Sequence, residues 1–316
     1  RDDSGFSRLT NGPEFASYLN ASRYPYVEGS YDKDGAFLPT KHKRLDEKVA
    51  GDFFNNSKHF EAFKKLHKLR SSPFLELQPD GTFKLCAKPG YDEEHKSYLD
   101  CEEIAPIPGT KHLDYGSDYP FATPSDRANY LAFFLQSFFR GVFPGETPSF
   151  LIRANSQNCG KTKSARSISY IYSGKQEGSF SLPEGSKNLR EVEMKFITKL
   201  KTHDVLVYDN AKVSLSNEFL DRIITQRVFS ERESHKTQDF VRENDFLVGF
   251  TVNYQTADDD LITRAVVINL HSSKIKERKD LDDWVLAHRK ENLGELMTMI
   301  KKWIDIGCPR ITPERY

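Results

Sequence analysis

SFLIRANSQNCGKTKSARSI, residues 149–168, is the stretch that decides the fold of this chain of 316 residues. It opens with a short apolar run, passes through a polar loop to Gly160-Lys161-Thr162, and continues into a segment compatible with a helix. This is the layout of a phosphate-binding P-loop, in which backbone N–H groups surround the phosphates, the lysine bridges them and the threonine hydroxyl ligates Mg²⁺. Because a bare GKT occurs often by chance, the flanking strand and helix are what favour a nucleotide site.

The loop departs from the P-loop pattern at one position, where Asn155 replaces the first glycine. Asparagine tolerates a left-handed backbone better than other non-glycine residues, so the sequence predicts that the loop still forms. The residues expected to surround the nucleotide are consecutive: Asn155, Ser156, Gln157, Asn158, Cys159, Gly160, Lys161, Thr162 and Lys163.

A second apolar run ends in an acidic residue. HDVLVYDNA, residues 203–211, is typical of a buried strand and closes on Asp209-Asn210. P-loop NTPases hold Mg²⁺ through an acid at the carboxyl end of such a strand. An ordinary core strand followed by an Asp-Asn turn explains the same residues. The order of the two segments favours the nucleotide interpretation, with Thr162 and Asp209 as predicted metal ligands.

A third apolar run, DFLVGFTVNYQ (245–255), brings Asn253 to the same expected sheet edge. Beyond a short acidic loop, Arg264 directly precedes a fourth apolar run, AVVINL (265–270). A polar residue here can position the attacking water, and an arginine that faces a neighbouring subunit can supply charge to the transition state. A strand-end asparagine and a surface arginine are the simpler interpretations, and each is favoured if its residue is taken alone.

A β-hairpin is predicted between the second and third runs. SNEFLDRIITQ (216–226) has the pattern of an amphipathic helix, and RVFSERESHKTQDFVREN (227–244) that of a hairpin with Ser234-His235-Lys236 near its tip. In a ring, a hairpin with a basic tip can project into the channel and hold a nucleic-acid backbone. On charge alone, an ordinary solvated hairpin is the favoured interpretation.

The order of these segments resembles the AAA+ core of the superfamily 3 helicases. These are the hexameric replicative helicases of small DNA viruses, and a related phage, plasmid and island family is often found with a primase. In them a P-loop, a short acidic strand, a helix, a basic hairpin, a strand with asparagine and an arginine before a β-strand follow in this order. PGYDEEHKSYLD (89–100) looks like the Pro-Gly-Tyr-Asp segment of the phage-type members, so the likeness spans about residues 79 to 272.

The resemblance implies a fold and a catalytic site. The fold is α/β, a P-loop AAA+ core with a mainly parallel sheet flanked by helices, plus a smaller mixed α+β N-terminal domain. The cofactors are ATP and Mg²⁺. Lys161 and Thr162 match the P-loop pair, and Asp209 matches the acid on the Mg²⁺ side. Asn253 matches the sensor, and Arg264 matches the arginine finger.

The resemblance also implies partners. Arg232 matches a basic position at the hairpin base, and His235 with Lys236 match the DNA-contacting tip approximately. The implied protein is a cytoplasmic homo-oligomer, a hexamer, which acts on single-stranded or forked DNA in the replication of a phage or mobile element. A primase domain in the same or a neighbouring chain is a further expected partner, and no membrane is involved.

Asn210 is a departure that bears on hydrolysis. It stands where the viral helicases carry a second acid that activates water, and an amide cannot accept that proton. Hydrolysis then depends on Asp209 or another acid, or is slow, although phage-type relatives also often have Asp-Asn at these positions.

Two other interpretations of the protein's function stay open. One is a P-loop ATPase that loads a partner or drives packaging, and the other is a DNA-binding ring or scaffold in which Asn155 and Asn210 mark a decayed site.

Composition limits the class of protein. The 46 basic and 46 acidic residues give a formal charge of zero, which argues against a dedicated sequence-reading DNA binder but not against a ring with a basic channel. No apolar run long enough for a membrane span and no secretory signal is present, and the four cysteines lack the CxxC spacing of a zinc site. The first residue is arginine, which suggests a fragment of a longer chain.

The length favours two domains, with expected boundaries of 1–124 for an accessory domain and 125–316 for the ATPase. Four further elements are predicted. They are a helix over 57–70, a hairpin over 75–87, a helix over 125–143 that begins at a Ser or Asp cap and packs on the sheet, and a helix over 280–307.

Overall fold

The structure of the protein is a computed structural model. The residues that it describes are 26–31, 33, 37–43, 48, 68–94, 96–116, 119–140, 142, 148–156, 159–176, 180, 189–200, 203–209, 222–223, 226–232, 239–253, 262–263, 265–271 and 280–309.

Short strands form most of the described N-terminal third, and strands and helices both occur in the remainder of the chain. The strands are β1 (Tyr26–Tyr31), β2 (Phe37–Lys43), β3 (Lys68–Arg70), β4 (Phe74–Leu77), β5 (Phe83–Cys86), β6 (Gly90–Asp92), β7 (Ser97–Leu99), β8 (Ser149–Ala154), β9 (Val205–Tyr208), β10 (Val228–Arg232), β11 (Asp239–Glu243), β12 (Leu247–Asn253) and β13 (Ala265–Leu270). The helices are α1 (Lys111–Gly116), α2 (Pro124–Gln136), α3 (Lys161–Ser173), α4 (Leu189–Leu200), α5 (Leu281–Ala287) and α6 (Arg289–Asp305), and one 3₁₀ turn covers Ser137–Phe139.

The chain divides into two compact units. One comprises Arg1–Leu69 with Tyr91–Tyr98, and the other comprises Arg70–Gly90 with Leu99–Tyr316. In the first, β1 and β2 form an antiparallel pair. The second contains the parallel sheet and the helices that cover it. The domain boundary after residue 124 that the sequence suggests stays a prediction.

The predicted parallel sheet is confirmed. It has four strands in the spatial order β13-β8-β12-β9, and every neighbouring pair is parallel. Asn253 and Leu270 both pair with Ala154, the last residue of β8. The carboxyl ends of β8, β12 and β13 therefore meet at one edge, where the predicted P-loop begins. Because β12 lies between β8 and β9, Asn253 stands between the strand that leads to Asn155 and the strand that leads to Asp209.

Both faces of the sheet are buried, since successive residues of a strand face opposite sides. The first face is covered by α2, α3, α5 and α6, and the second by α4 and the base of the β10–β11 hairpin. The buried strand residues on the first face are Phe150, Ile152, Ala154, Val205, Val207, Leu247, Ile268 and Leu270. Those on the second face are Leu151, Leu206, Tyr208, Val248, Phe250 and Val252.

The predicted packing of a helix near residues 125–143 on the sheet is confirmed. Phe133 stacks on Phe150 of β8 with ring centroids 4.2 Å apart. Asn129 donates from Nδ2 to the Val267 carbonyl at 2.8 Å, so α2 also packs along the edge of β13 that faces away from β8. The predicted Ser or Asp cap is wrong: the cap is Thr123, because Pro124 takes the first helical position, which suits its fixed φ.

The single helix predicted over 280–307 is interrupted. His288 has φ −108° and ψ 24°, outside the helical region, and it separates α5 from α6. Its ring stacks on Trp284 at 4.2 Å, and its Nδ1 lies 2.9 Å from the Trp284 carbonyl. The break places Arg289 beside the end of α3, where its Nε donates to the Ile171 carbonyl at 2.8 Å. That carbonyl is one of those that a helix end leaves unpaired.

The two remaining predicted elements have different outcomes. The hairpin over 75–87 is confirmed, since β4 and β5 pair antiparallel around Pro79-Asp80-Gly81. The helix over 57–70 is wrong at its end, because residues 68–70 are strand β3 and sheet pairing overrides their helical propensity. Residues 57–67 lie outside the described part. Within the described ranges, no helix is both long and apolar enough to cross a bilayer.

Candidate nucleotide site

The start of α3 has the geometry of an anion site. Gly160 has φ +83°, in the left-handed region that favours glycine, and it leads directly into Lys161, the first residue of the helix. A Cβ at Gly160 would lie 3.1 Å from Cδ1 of Tyr119, so a side chain is also sterically unfavourable. The first backbone N–H groups of a helix have no partner within it and carry a partial positive charge. The start of α3 therefore presents backbone donors at the carboxyl edge of the sheet, where an anion can be bound.

Asn155 does not use the left-handed backbone that the sequence allows it, because its φ is negative. Its N–H donates to the Leu270 carbonyl at 3.4 Å, which continues the pairing of β8 with β13 into the loop. The loop is closed instead by Cys159, a buried thiol whose Sγ lies 3.0 Å from Oγ of Ser156. Asn155 thus has an ordinary backbone conformation and extends the strand pairing by one residue.

Lys161 contacts the residue that the resemblance assigns to the sensor. Its ammonium donates to Oδ1 of Asn253 at 2.8 Å and to the Ser156 carbonyl at 3.5 Å. The contact exists because β12 is the immediate neighbour of β8 in the sheet. The two side chains, 92 residues apart in sequence, therefore meet at the mouth of the loop.

Thr162 and Asp209, the two predicted metal ligands, also meet. The threonine hydroxyl donates to Oδ1 of Asp209 at 2.8 Å. One carboxylate and one hydroxyl are oxygen ligands of the kind that Mg²⁺ prefers, and in phosphate-binding sites this ion usually keeps several waters and takes only one or two protein carboxylates. Among the described residues, no group of three or more His, Cys, Asp or Glu is placed to hold a metal ion. Mg²⁺ at Thr162 and Asp209 stays a prediction.

Thr251 is a member of this site that sequence reasoning missed. It is fully buried, and its hydroxyl donates to the same Oδ1 of Asp209 at 2.5 Å. It lies two residues before Asn253 on β12, so both side chains face the same side of the sheet. The signal that could have found Thr251 is its spacing from Asn253. Residues two apart on a strand face the same side of the sheet, so a role for Asn253 in the site also brings Thr251 towards it.

Several predicted site residues lie outside the described part of the chain: Gln157, Asn158, Asn210, His235, Lys236 and Arg264. Lys163 lies in the first turn of α3, and Arg232 is the last residue of β10, paired with Asp239 of β11. The predicted hairpin itself is confirmed, because β10 and β11 pair antiparallel in an unbroken register. The roles of all these residues stay predictions.

No protein-family model matches the chain, and no curated protein matches it. Among solved structures, the chain is similar to the apo C-terminal region of NrS-1, with 11% identity and a TM-score of 0.44 over 90% of this chain and 69% of that one. It is also similar to SCCmec type IV Cch, described as an active helicase, with 13% identity and a TM-score of 0.41 over 89% and 60%. A third is the JCV helicase in complex with a substituted acetamide, with 13% identity and a TM-score of 0.33 over 58% and 55%. Likenesses of this size carry no functional conclusion.

Proposed function

We propose that this chain is an ATP-dependent DNA helicase or translocase of the AAA+ superfamily 3 kind, which acts as a homo-hexameric ring in the replication of a phage or mobile element. One observation carries the proposal. Lys161 and Thr162 at the start of α3 are each hydrogen-bonded at 2.8 Å to a polar residue from a different strand of the parallel sheet, Asn253 and Asp209 respectively. A bare GKT sequence does not require these neighbours. A triphosphate site uses an acid beside the threonine to hold Mg²⁺ and a polar residue near the γ-phosphate to position water.

The donors at this edge suit a triphosphate. The N-terminus of α3 and the Lys161 ammonium receive the β- and γ-phosphates, and Lys161 exchanges the oxygen of Asn253 for phosphate oxygens. Thr162 and Asp209 hold Mg²⁺, directly or through water. When bound, this ion neutralises charge that develops on the phosphates.

Asn253 acquires its sensor role once Lys161 has turned to the phosphates. In that arrangement the Asn253 amide orients the attacking water beside the γ-phosphate. Asp209 or another acid accepts the proton, since Asn210 cannot. Arg264 of a neighbouring subunit supplies the remaining charge, which makes the site incomplete without a second copy.

The hairpin supplies the contact with DNA. Its strands β10 and β11 are ordered as a regular ladder, and the basic pair His235-Lys236 falls in the connection between them. A lysine offers a point charge to phosphate and a histidine a hydrogen bond or a stacking surface, neither of which reads sequence. Such a contact suits a motor that moves along single-stranded or forked DNA.

ATP turnover with and without single-stranded DNA tests the proposal. The wild type should hydrolyse ATP faster with DNA and displace a strand, while Lys161→Ala should lose turnover because the triphosphate loses its bridging cation. Lys301→Ala is the matched control, since Lys301 is an exposed lysine on α6 outside the site. Turnover by Lys161→Ala at the wild-type rate would refute the P-loop assignment. Turnover without strand displacement would favour a loader or packaging motor, and no wild-type turnover would favour a scaffold.

A further inference from the structure

A cluster of buried charges lies at the amino edge of the parallel sheet, opposite the nucleotide site. Asp204 precedes β9 and Asp245 precedes β12. Three arginines surround them: Arg70 lies 3.3 Å from Asp204 and 2.6 Å from Asp245, Arg140 lies 3.5 Å from Asp204, and Arg242 completes the set. We call these five residues the amino-edge cluster. Three guanidiniums against two carboxylates leave one positive charge in excess among its members.

Arg242 is the member that belongs to the β10–β11 hairpin. Its Nη2 donates to Asp204 at 2.6 Å and its Nε to Asp245 at 2.8 Å. Its Nη1 donates to the carbonyls of Leu200, the last residue of α4, and of His203, the latter at 3.0 Å. One side chain on β11 therefore binds the end of α4, the start of β9 and the start of β12.

The hairpin is attached to the sheet through one face. Phe229 pairs with Arg242 across the ladder and is buried beside Phe196 of α4. On the opposite face, Val228 and Val241 are 45% and 61% exposed. Arg242 and Phe229 thus form the polar and apolar halves of one attachment, and the open face contributes little to it.

The carboxylates of the cluster stay ionised. Burial raises the pKa of Asp204, but Arg140, Arg70 and Arg242 outweigh it and hold that pKa well below its usual value. Burial also raises the pKa of Asp245, and Arg70 and Arg242 reverse the effect. Because the cluster has one guanidinium in excess, loss of any one arginine leaves two guanidiniums and two carboxylates. Removal of Arg242 therefore does not leave a buried carboxylate without a partner, which is the costly case.

We propose that Arg242 is a positioning residue that fixes the β10–β11 hairpin to β9 and β12, the strands that carry Asp209 and Asn253 at their other ends. Asp204 and Asp209 flank the four residues of β9, roughly 17 Å apart at the usual rise of a parallel strand. A displacement of the hairpin is thereby passed to the two strands that shape the nucleotide site. The positioning role of Arg242 is argued from its contacts alone. The further step, that it couples DNA binding at the hairpin to ATP turnover, rests on the proposed function.

Arg242→Met and Arg140→Met form a matched pair of variants of the full chain. Each removes one guanidinium that pairs with Asp204, and each leaves the cluster neutral, but Arg140 belongs to the turn after the 3₁₀ segment and not to the hairpin. Hydrogen exchange of the backbone amides of β10 and β11 is the first readout, compared at equal distance below each variant's melting temperature. DNA stimulation of ATP turnover is the second.

Arg242→Met should speed exchange in the hairpin by about tenfold or more, since strands that lose their anchor open locally. Arg140→Met should leave exchange in the hairpin near the wild-type rate. Arg242→Met should also lose most DNA stimulation while it keeps basal turnover. If the hairpin amides of Arg242→Met and Arg140→Met exchange at the same rate, the positioning role of Arg242 is overturned. If Arg242→Met exchanges faster but DNA still stimulates its ATP turnover, the coupling between DNA and ATP is overturned. If wild type shows no DNA stimulation, the proposed function fails while the exchange data still decide the positioning.

Discussion

Replacing Thr251 by valine tests whether Asp209 is held in place by a second threonine. Valine has nearly the same shape but lacks the hydroxyl that donates to Oδ1 at 2.5 Å. Asp209 then keeps the donor from Thr162 at 2.8 Å and loses the one from β12. A hydrogen bond to a charged group contributes about 1.5–3 kcal/mol, and loss of a partner that orients a metal ligand costs about 10- to 100-fold in metal affinity. The two ranges agree, since tenfold corresponds to about 1.4 kcal/mol.

The assay separates this role from simple packing. Calorimetric titration with ATP in EDTA should give the same affinity for wild type and Thr251→Val, because Lys161 and the start of α3 are unchanged. With Mg²⁺ present, the variant should bind ATP more weakly and need about 10- to 100-fold more Mg²⁺ for half-saturation of turnover. Thr251→Ser keeps the hydroxyl and should restore the wild-type Mg²⁺ dependence. A folded Thr251→Val protein with unaltered Mg²⁺ dependence would refute the reasoning.

Three further predictions concern the shared site, the hairpin tip and the amino-edge cluster. Arg264→Ala should bind ATP normally but turn it over about 10³-fold more slowly, and mixing it with Lys161→Ala subunits should restore activity if the site is shared between copies. Lys236→Ala should weaken single-stranded DNA binding equally for all sequences and make its salt dependence shallower by about one phosphate contact, as binding measured over a salt series would show. Asp204→Asn should unfold at a lower urea concentration than the wild type at pH 7, and the difference in urea midpoint should shrink as pH falls below about 4. The reason is that the folded protein holds the pKa of Asp204 below its ordinary value. The carboxylate therefore contributes stability above the ordinary pKa, and this contribution is lost as acid protonates the folded state.

The sequence predicts the strands and the loop of the site because these features are local. Each strand of the parallel sheet is an apolar run of four to seven residues, and the pattern at 149–168 specifies strand, loop and helix in order. The hairpin is predicted for the same reason, from alternation on both sides of a polar connection. Local chemistry also explains the two corrected helix boundaries, since the Pro124 position and the His288 ring are both visible in the sequence.

The remaining features depend on the order of strands in space, which no local pattern specifies. That β12 inserts between β8 and β9 determines both the Lys161–Asn253 contact and the position of Thr251 on Asp209. The amino-edge cluster joins Arg70 to Asp245, residues 175 apart in sequence. Charged residues in a sequence are ordinarily exposed, so nothing in the chain marks these as buried until the fold brings them together.

Strand β12 links the amino-edge cluster with the candidate nucleotide site at the carboxyl edge of the sheet. It starts close to Asp245 of the amino-edge cluster and ends at Asn253. Residues 247–250 of β12 pair with β9, and residues 249–253 pair with β8. Six of its seven residues are buried. A Cβ at Gly249 would come within 2.5 Å of the Phe133 ring of α2, so the helix packs directly on the strand backbone. A strand with two partners and a helix packed against it moves only with its neighbours, because packed interiors resist deformation. Under the proposed positioning, a displacement of Asp245 by the hairpin shifts β12 together with its partner β9. Asn253 ends β12 and Asp209 follows β9, so both ends of this strand pair at the candidate site are affected together.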